Sequence, residues 1–535
     1  STTSFVSCGD KHIKFWSLQG RNLAAKKGLV GRRGKLQAFT CVAWVATRDD
    51  GEDRSPAVGT AEGKLYLFDA GSKKLAQTVA GHKGAVYAVS ELEDGGLVSG
   101  GKDGVVICWG PGLVQLFSID LKGLSPPPLF QISVRSVHVG HGRLLVGTQG
   151  SEIYELPFTE ALHDNDGSEI LPLVTGHCKD ELWGLCCHPT LREYVTTGDD
   201  GTLRVWSIPK RRVARSVRLG GMARCCAYSH DGVHLAVGMG GSVGRGRQRV
   251  DGAVRIFAAG TLELLHEIKD SKQWISDVKY SPDGKYLAVG SHDNAVYLYK
   301  RRRGYARSSV FKKHNSYISH LDFSRDSQYL QSTCGAYELL FCDAHSGAQV
   351  PAASQLRNVR WETWTLPLGW PVQGIWPPCS DGTDINSVAR SHSCTLLATA
   401  DDFGKVKLFR YPCADKTADF QEYSGHSSHV TNDDGLLVLN LSSGPSSGDQ
   451  FMAVKPWLGA IKAPTAEAMK AFGYVEDGKP PRVSLELEWI YGYRCHDARN
   501  NLHYNAQGDA VYHTAAVGVV LKRKAEEAAA FGGGA

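Results

Sequence analysis

"GHKGAVYAVSELEDGGLVSGGKDGVVICW", residues 81–109, opens on Gly-His, runs through alternating apolar and polar residues, and ends on a tryptophan six positions after Asp103. "GHCKDELWGLCCHPTLREYVTTGDDGTLRVW", residues 176–206, repeats the plan with Asp200 six positions before Trp206. Variants recur elsewhere. "SCGDKHIKFW" carries Asp10 and Trp16, and "GSHDNAVYLY" keeps Asp293 but sets Tyr299 at the Trp position. "VDGAVRIF" has Asp251 and Phe257, "TAEGKLYLF" has Glu62 and Phe68, and further units lie around 113–158, 305–347 and 384–411.

Inside each unit the period-2 alternation is bounded by Gly, Asp, Asn and Ser, the pattern of about four short strands. One such sheet leaves both faces in water. Radial stacking buries them, which predicts an all-β chain built of β-propeller blades. Roughly nine or ten units exceed the four to eight blades of one ring, so two rings are expected. The opening run supplies only the last strands of a unit, and residues 1–165 are therefore expected to hold the C-terminal blades of a first, partial propeller. Residues 170–432 are expected to form a second, nearly complete propeller of about six to seven blades.

A chain of 535 residues is too long for one ordinary core, in keeping with two rings. With 42% hydrophobic and 21% charged residues the composition is globular, and no apolar run reaches the ~18 residues of a membrane helix. The formal net charge of +5 is small for this length, so attraction to an acidic partner has to come from local patches. Fourteen cysteines do not read as a disulfide framework. Cys108 and Cys342 sit in strand-like runs, and the adjacent pairs Cys186–Cys187 and Cys225–Cys226 point to opposite strand faces. With no charged-then-apolar leader, a reducing, cytoplasmic compartment is expected.

The repeat also accounts for residues that imitate a hydrolase triad. His82, Ser99, Asp103 and Trp109 form one set, and His177, Thr196, Asp200 and Trp206 another. Catalytic residues occur once, whereas these recur at fixed phase, so hydrogen-bonded networks within single blades are expected. "LELEWIYGYRCHDARNN", residues 485–501, crowds Cys495, His496, Asp497 and Arg499 behind alternating Leu485, Leu487, Trp489, Tyr491 and Tyr493. That alternation predicts a half-buried strand, with a turn at 505–509 and a returning strand over 510–521. One Cys beside one His lacks the partner ligands of a metal site, and neighbours on an extended chain diverge too far to act as nucleophile and base. The segment reads as scaffold. "DFG" at 402–404 lacks the other kinase motifs and reads as a blade turn. No catalytic residue, cofactor or metal is expected.

Three stretches remain for recognition or packing. "GMGGSVGRGRQR" (238–249) lengthens a turn that should be short and carries Arg245, Arg247 and Arg249. "KRRRGYAR" (300–307) supplies Lys300, Arg301, Arg302 and Arg303, and "PKRRVARSVR" (209–218) is also cationic. Each can meet an acidic surface or remain a solvated face. Regularly spaced stacking aromatics are not evident beside them, which argues against nucleic acid. The four tryptophans of "WETWTLPLGWPVQGIWPP" (361–378) are expected mostly in the core.

The chain resembles the echinoderm microtubule-associated protein-like family of WD-repeat proteins. The resemblance lies in "FVSCGDKHIKFWSLQG" (5–20), "LVSGGKDG" (97–104), "GHCKDELWGL" (176–185), "YSPDGKYLAVGSHDNAVYLY" (280–299), "SDGTDINSVARSH" (380–392), "DDFGKVKLFRYPC" (401–413) and "GHSSHVTN" (425–432). It implies tandem propellers that bind tubulin or microtubules, with the arginine loops at 245–249 and 300–303 as candidate contacts. "DQFMAVKPWLGAIKAP" and the segment 485–501 resemble the family's HELP motif, so residues 450–535 are expected to open a following propeller. Residues 433–449 then read as a linker or a chain break, because a blade strand is missing between Asn432 and Asp433. The resemblance further implies a non-enzymatic scaffold of the cytoplasm and cytoskeleton, in a ciliary or flagellar axoneme with other axonemal proteins as partners, and neither nucleic acid nor membrane. A general WD-repeat adaptor for soluble complexes is the alternative.

Overall fold

The computed structural model describes residues 4–48, 53–125, 128, 130–158, 170–178, 181–241, 250–376, 385–426, 430–431, 456–475 and 478–522. These fold as ten small antiparallel sheets of three or four strands. The one α-helix among them, Ala466–Phe472, is capped by the Thr465 hydroxyl, which accepts from the Ala468 amide. No helix among the described residues is long and apolar enough to cross a membrane.

The chain divides into two compact units. Unit 1, residues 1–178 with 490–535, contains sheets over 4–27, 39–80, 86–120, 134–157 and 502–521. Unit 2, residues 179–489, contains sheets over 182–218, 223–268, 275–311, 318–343 and 385–424. Five sheets among the described residues of unit 2 fall short of the expected six to seven. The Trp-rich stretch accounts for part of the difference. It forms the 3-10 turn Trp370–Ile375 instead of strands, and Trp361, Trp364, Leu366, Leu368, Val372 and Ile375 fill a core beside Val388 and Phe409.

Burial across a blade follows its strand order. The second strands are buried on both faces, as at Leu97–Gly101 and Tyr286–Ser291. Outermost strands such as Leu264–Ile268 are largely exposed. A strand buried on both faces needs a neighbouring sheet on each side, which is what radial stacking provides. The Asp-Gly turns behave as their sequence implies. Gly104, Gly201 and Gly252 have φ of 80°, 68° and 82°, and a Cβ on Gly252 would lie 2.1 Å from the Ser271 carbonyl oxygen.

Two irregularities repeat with the blades. The innermost strand carries a bulge near its start in every sheet except the first and last in chain order. A second shift falls at the Trp position, between the third and fourth strands, in every four-stranded sheet but 385–424. Bulges re-aim side chains locally.

The C-terminal segment departs from expectation. Residues 456–489 belong to unit 2 and 490–521 to unit 1, so the segment 450–535 is divided between the two compact units. Tyr493, Cys495, Leu502 and Tyr512 pack with Leu145, Ile153 and Val174, covering the apolar side of sheet 134–157. Residues 485–493 form no hydrogen-bonded strand, and Leu487 is 71% exposed. Alternation supplied the pattern of a strand without a partner edge. Residues 510–521 form two strands, Ala510–Thr514 and Val517–Leu521, which turn at Ala515 with φ of 48°. The linker or chain break at 433–449 lies outside the described residues.

Candidate interaction surfaces

In sheet 86–120 the repeated residues form a continuous chain of hydrogen bonds. Trp109 Nε1 donates to Ser99 Oγ at 2.8 Å, Ser99 Oγ lies 2.8 Å from His82 Nε2, and His82 Nδ1 lies 3.1 Å from Asp103 Oδ1. Asp103 also accepts from the Lys83 amide at 2.7 Å, which fastens the loop before the blade to the turn within it. Burial of His82 pulls its imidazole below the ordinary value, and the nearby Asp103 opposes the shift. Trp206 donates to Thr196 Oγ1 at 2.7 Å and Trp16 to Ser7 Oγ at 2.8 Å, so the bond recurs with its repeat. Asp200 accepts from the Thr202 amide at 3.0 Å and pairs at 3.1 Å with the fully buried Arg204. His177 is half-buried. These geometries tie turns together within blades.

Around 495–501 the reactive-looking residues serve as anchors. Cys495 is buried, its Sγ lies 3.3 Å from the Gln149 carbonyl oxygen, and burial pushes its thiol up to about 11. Asp497 is clasped by Arg494 at 2.9 and 2.5 Å, which holds its carboxyl down at about 2. His496 and Arg499 are exposed. In the "DFG" turn Asp401 accepts from the Phe403 and Lys405 amides, and Phe403 points outward.

Of the cationic candidates, Arg245, Arg247 and Arg249 lie outside the described residues. Lys300 is half-buried at the end of a strand, and Arg301–Arg303 form a 3-10 turn. Arg301 is committed to Asp231 at 2.8 Å, whereas Arg302 and Arg303 are exposed. In the second cationic segment Arg215 pairs with Glu193 at 2.7 Å, and Arg211 pairs with Glu488 at 3.2 Å while covering the Trp489 ring.

A further surface had no motif to announce it. The innermost strands of all five unit 2 sheets line a cavity of about 820 Å3. The bulged residue of each strand, Trp183, Arg224, Ser276, Ser319 and Asn386, belongs to its lining. Arg224 stacks between Trp183 and Trp274, with ring centroids 4.3 and 5.0 Å from the guanidinium, and pairs with Asp199 at 3.2 Å. His292 lies between Trp274 and Tyr317 at 5.1 and 4.5 Å. Unit 1 uses the same bulge position, setting Arg135 4.4 Å from the Tyr87 ring. Deeper in the cavity burial raises the Asp277 carboxyl to about 6 and lowers His320 to about 4. Asp277 Oδ2 accepts from the Leu321 amide at 2.8 Å, joining adjacent innermost strands. The signal for this surface is positional: Trp183, Arg224, Trp274 and Tyr317 stand at or just before the start of four of the five innermost strands.

Residues 182–434 match the model for the echinoderm microtubule-associated protein second beta-propeller. Residues 480–519 match the HELP motif, and 73–110 match the WD domain, G-beta repeat. The chain belongs to the echinoderm microtubule-associated protein-like family. Among family members, echinoderm microtubule-associated protein-like 2 of Rattus norvegicus is 39% identical over 444 residues, covering 81% of this chain and 64% of the relative. Echinoderm microtubule-associated protein-like 1 of Mus musculus is 35% identical over 441 residues, covering 81% of this chain and 50% of the relative. The like-3 protein of Homo sapiens is 35% identical over 468 residues, covering 82% and 49%. This chain thus spans about half to two thirds of the length of the family members it matches. The HELP match crosses the division between the two units at residues 489 and 490.

Proposed function

We propose that this chain is a non-catalytic scaffold that binds tubulin or the microtubule lattice through propeller faces and basic loops, in the cytoskeleton and in the ciliary axoneme. The observation that carries the reading is the kinship, over about four-fifths of the chain, with proteins named for association with microtubules. Exposed Arg302 and Arg303 suit an acidic lattice, and contacts of that kind weaken as salt rises. Co-pelleting of the folded full chain with microtubules at low and high ionic strength tests it. Retention at low salt that falls at high salt is expected, and no retention at either overturns the reading.

The second reading is a general adaptor for soluble protein complexes. The Trp183–Arg224–Trp274 stack favours it, because Trp, Tyr and Arg dominate the energetics of protein interfaces. A pull-down that returns soluble partners and no tubulin selects it.

A further inference from the structure

We propose that His314, Cys334 and Glu338 form a binding site for a transition-metal cation of the zinc type. Their ligand atoms all lie within 4.8 Å of one another, the only such cluster of three among the described residues. His314 Nδ1 is 3.5 Å from Glu338 Oε2, and Cys334 Sγ is 3.2 Å from the same oxygen. Zinc bonds of about 2.0–2.3 Å place tetrahedral ligands about 3.3–3.7 Å apart, so two of the three edges already have about the required length. Histidine, cysteine and carboxylate are all zinc ligands, and three protein ligands leave a fourth position for water.

The site sits where the repeat is rewritten. Ser99 pairs across its ladder with Ile107, and Ser332 with Leu340, which puts the two sheets in one register. On that register Cys342 stands at the Trp109 position, Ala336 at Asp103, Cys334 at Gly101 and Glu338 at Val105. Two members of the blade network are lost, and two metal-ligating residues appear where sheet 86–120 has none. Only the His–Ser pair persists, with His314 Nε2 2.7 Å from Ser332 Oγ.

That exchange alters what His314 presents. In sheet 86–120 the indole occupies Ser99 as an acceptor, so the serine gives its proton to His82 Nε2 and Nδ1–H points to Asp103. Cys342 has no such N–H. Ser332 is then able to accept from Nε2–H, the arrangement that fixes a metal-ligating imidazole with its other nitrogen bare. His314 is 7% exposed, and its Nδ1 has no hydrogen-bond partner while facing Cys334 and Glu338. The Asn315 amide, 2.9 Å from Glu338 Oε2, and its side chain, bonded to Oε1, steady the carboxylate from outside. On binding, Cys334 gives its thiol proton to solvent and becomes the thiolate ligand, so affinity rises with pH. The rival arrangement is the other tautomer, with Nδ1–H directed at Glu338 and no metal.

The full chain, stripped by chelator and titrated with Co2+, distinguishes the two. One equivalent is expected to produce a thiolate-to-cobalt charge-transfer band that Zn2+ abolishes. Cys334→Ser should remove the band, Glu338→Gln should weaken affinity at least about tenfold, and Cys394→Ser should leave the band intact. Glu338→Gln and wild type suffice if Cys334→Ser fails to fold. No saturable band, or a band unchanged in Cys334→Ser or Glu338→Gln, overturns the site and leaves the tautomer network in its place.

Discussion

Sheets 86–120 and 318–343 share a scaffold and differ in what fills it. In the first, Trp109, Ser99, His82 and Asp103 hand hydrogen bonds along a line from the outer strands to the turn. In the second, Cys342 and Ala336 replace the two ends of that line and only the His314–Ser332 bond remains. Both keep the same bulge in the innermost strand, at Val86/Ala88 and Ile318/His320. A blade therefore depends on its register and buried central strand, and the network is a local reinforcement. Where the reinforcement lapses, its positions are free for other chemistry.

Trp109→Ala is the largest break in this comparison. Trp109 is 1% exposed, and the substitution removes the ring and its hydrogen bond to Ser99. Loss of a buried Trp costs about 3–5 kcal/mol. Cys342→Ala, at the same register position, should cost about 1 kcal/mol, the centre of the range for point substitutions. Urea unfolding of the full chain compares them, and equal losses would show that register position matters more than the ring.

Ser99→Ala tests the network without emptying the core. It leaves the Trp109 indole N–H buried without its acceptor, a loss of about 1–3 kcal/mol. Ser332→Ala orphans only His314 Nε2, whereas Ser99→Ala orphans both the indole N–H and His82 Nε2, so the Ser332 variant should fall at the low end of that range, about 1 kcal/mol. Thermal melts of the two variants should therefore separate in the same order as the first pair.

Acidification sharpens the contrast through the histidines. Both are held below the ordinary value of 6.5 by burial, His314 down to about 4. Each is neutral in the fold and takes a proton in the unfolded chain, so its stabilising contribution is complete above 6.5 and declines as pH falls toward the folded value. Metal-free protein should lose melting temperature between about pH 7 and about pH 5, and His314→Gln should flatten that loss. An unchanged pH slope in His314→Gln would mean that this imidazole is not buried in its neutral form.

How much of this was legible in the chain follows from what repeats. Gly-His openings, Asp-Gly turns and the Trp phase recur, and each imposes a fixed local geometry, so sheets such as 86–120 and 182–218 stand out in one sequence. Features that occur once were harder to read. Leu485 to Tyr493 alternate like a strand, but alternation records faces and says nothing about a partner edge. Ala515–Ala516 carries no turn chemistry, yet the chain reverses there. The cavity residues Trp183 and Arg224 are brought together by bulges, which leave no composition signal. His314, Cys334 and Glu338 have no ligand spacing to find, and only the departures at Gly101 and Asp103 of the repeat mark them.

Charge reversal at the turn following the central strands of sheet 275–311 should have the smallest effect on folding and the clearest one on recognition. Arg301 is held by Asp231 at 2.8 Å and 16% exposed at its side chain, so it belongs to the scaffold. Its neighbours Arg302 and Arg303 project outward from the same turn. Arg302→Glu with Arg303→Glu should change stability by no more than about 0.5 kcal/mol, the usual range for exposed sites. The same pair should lower microtubule retention at low salt and make the remainder less sensitive to ionic strength, because two of the charges that salt screens have been reversed. Retention equal to wild type at every salt concentration would remove this turn from the proposed contact and leave the propeller faces to carry it.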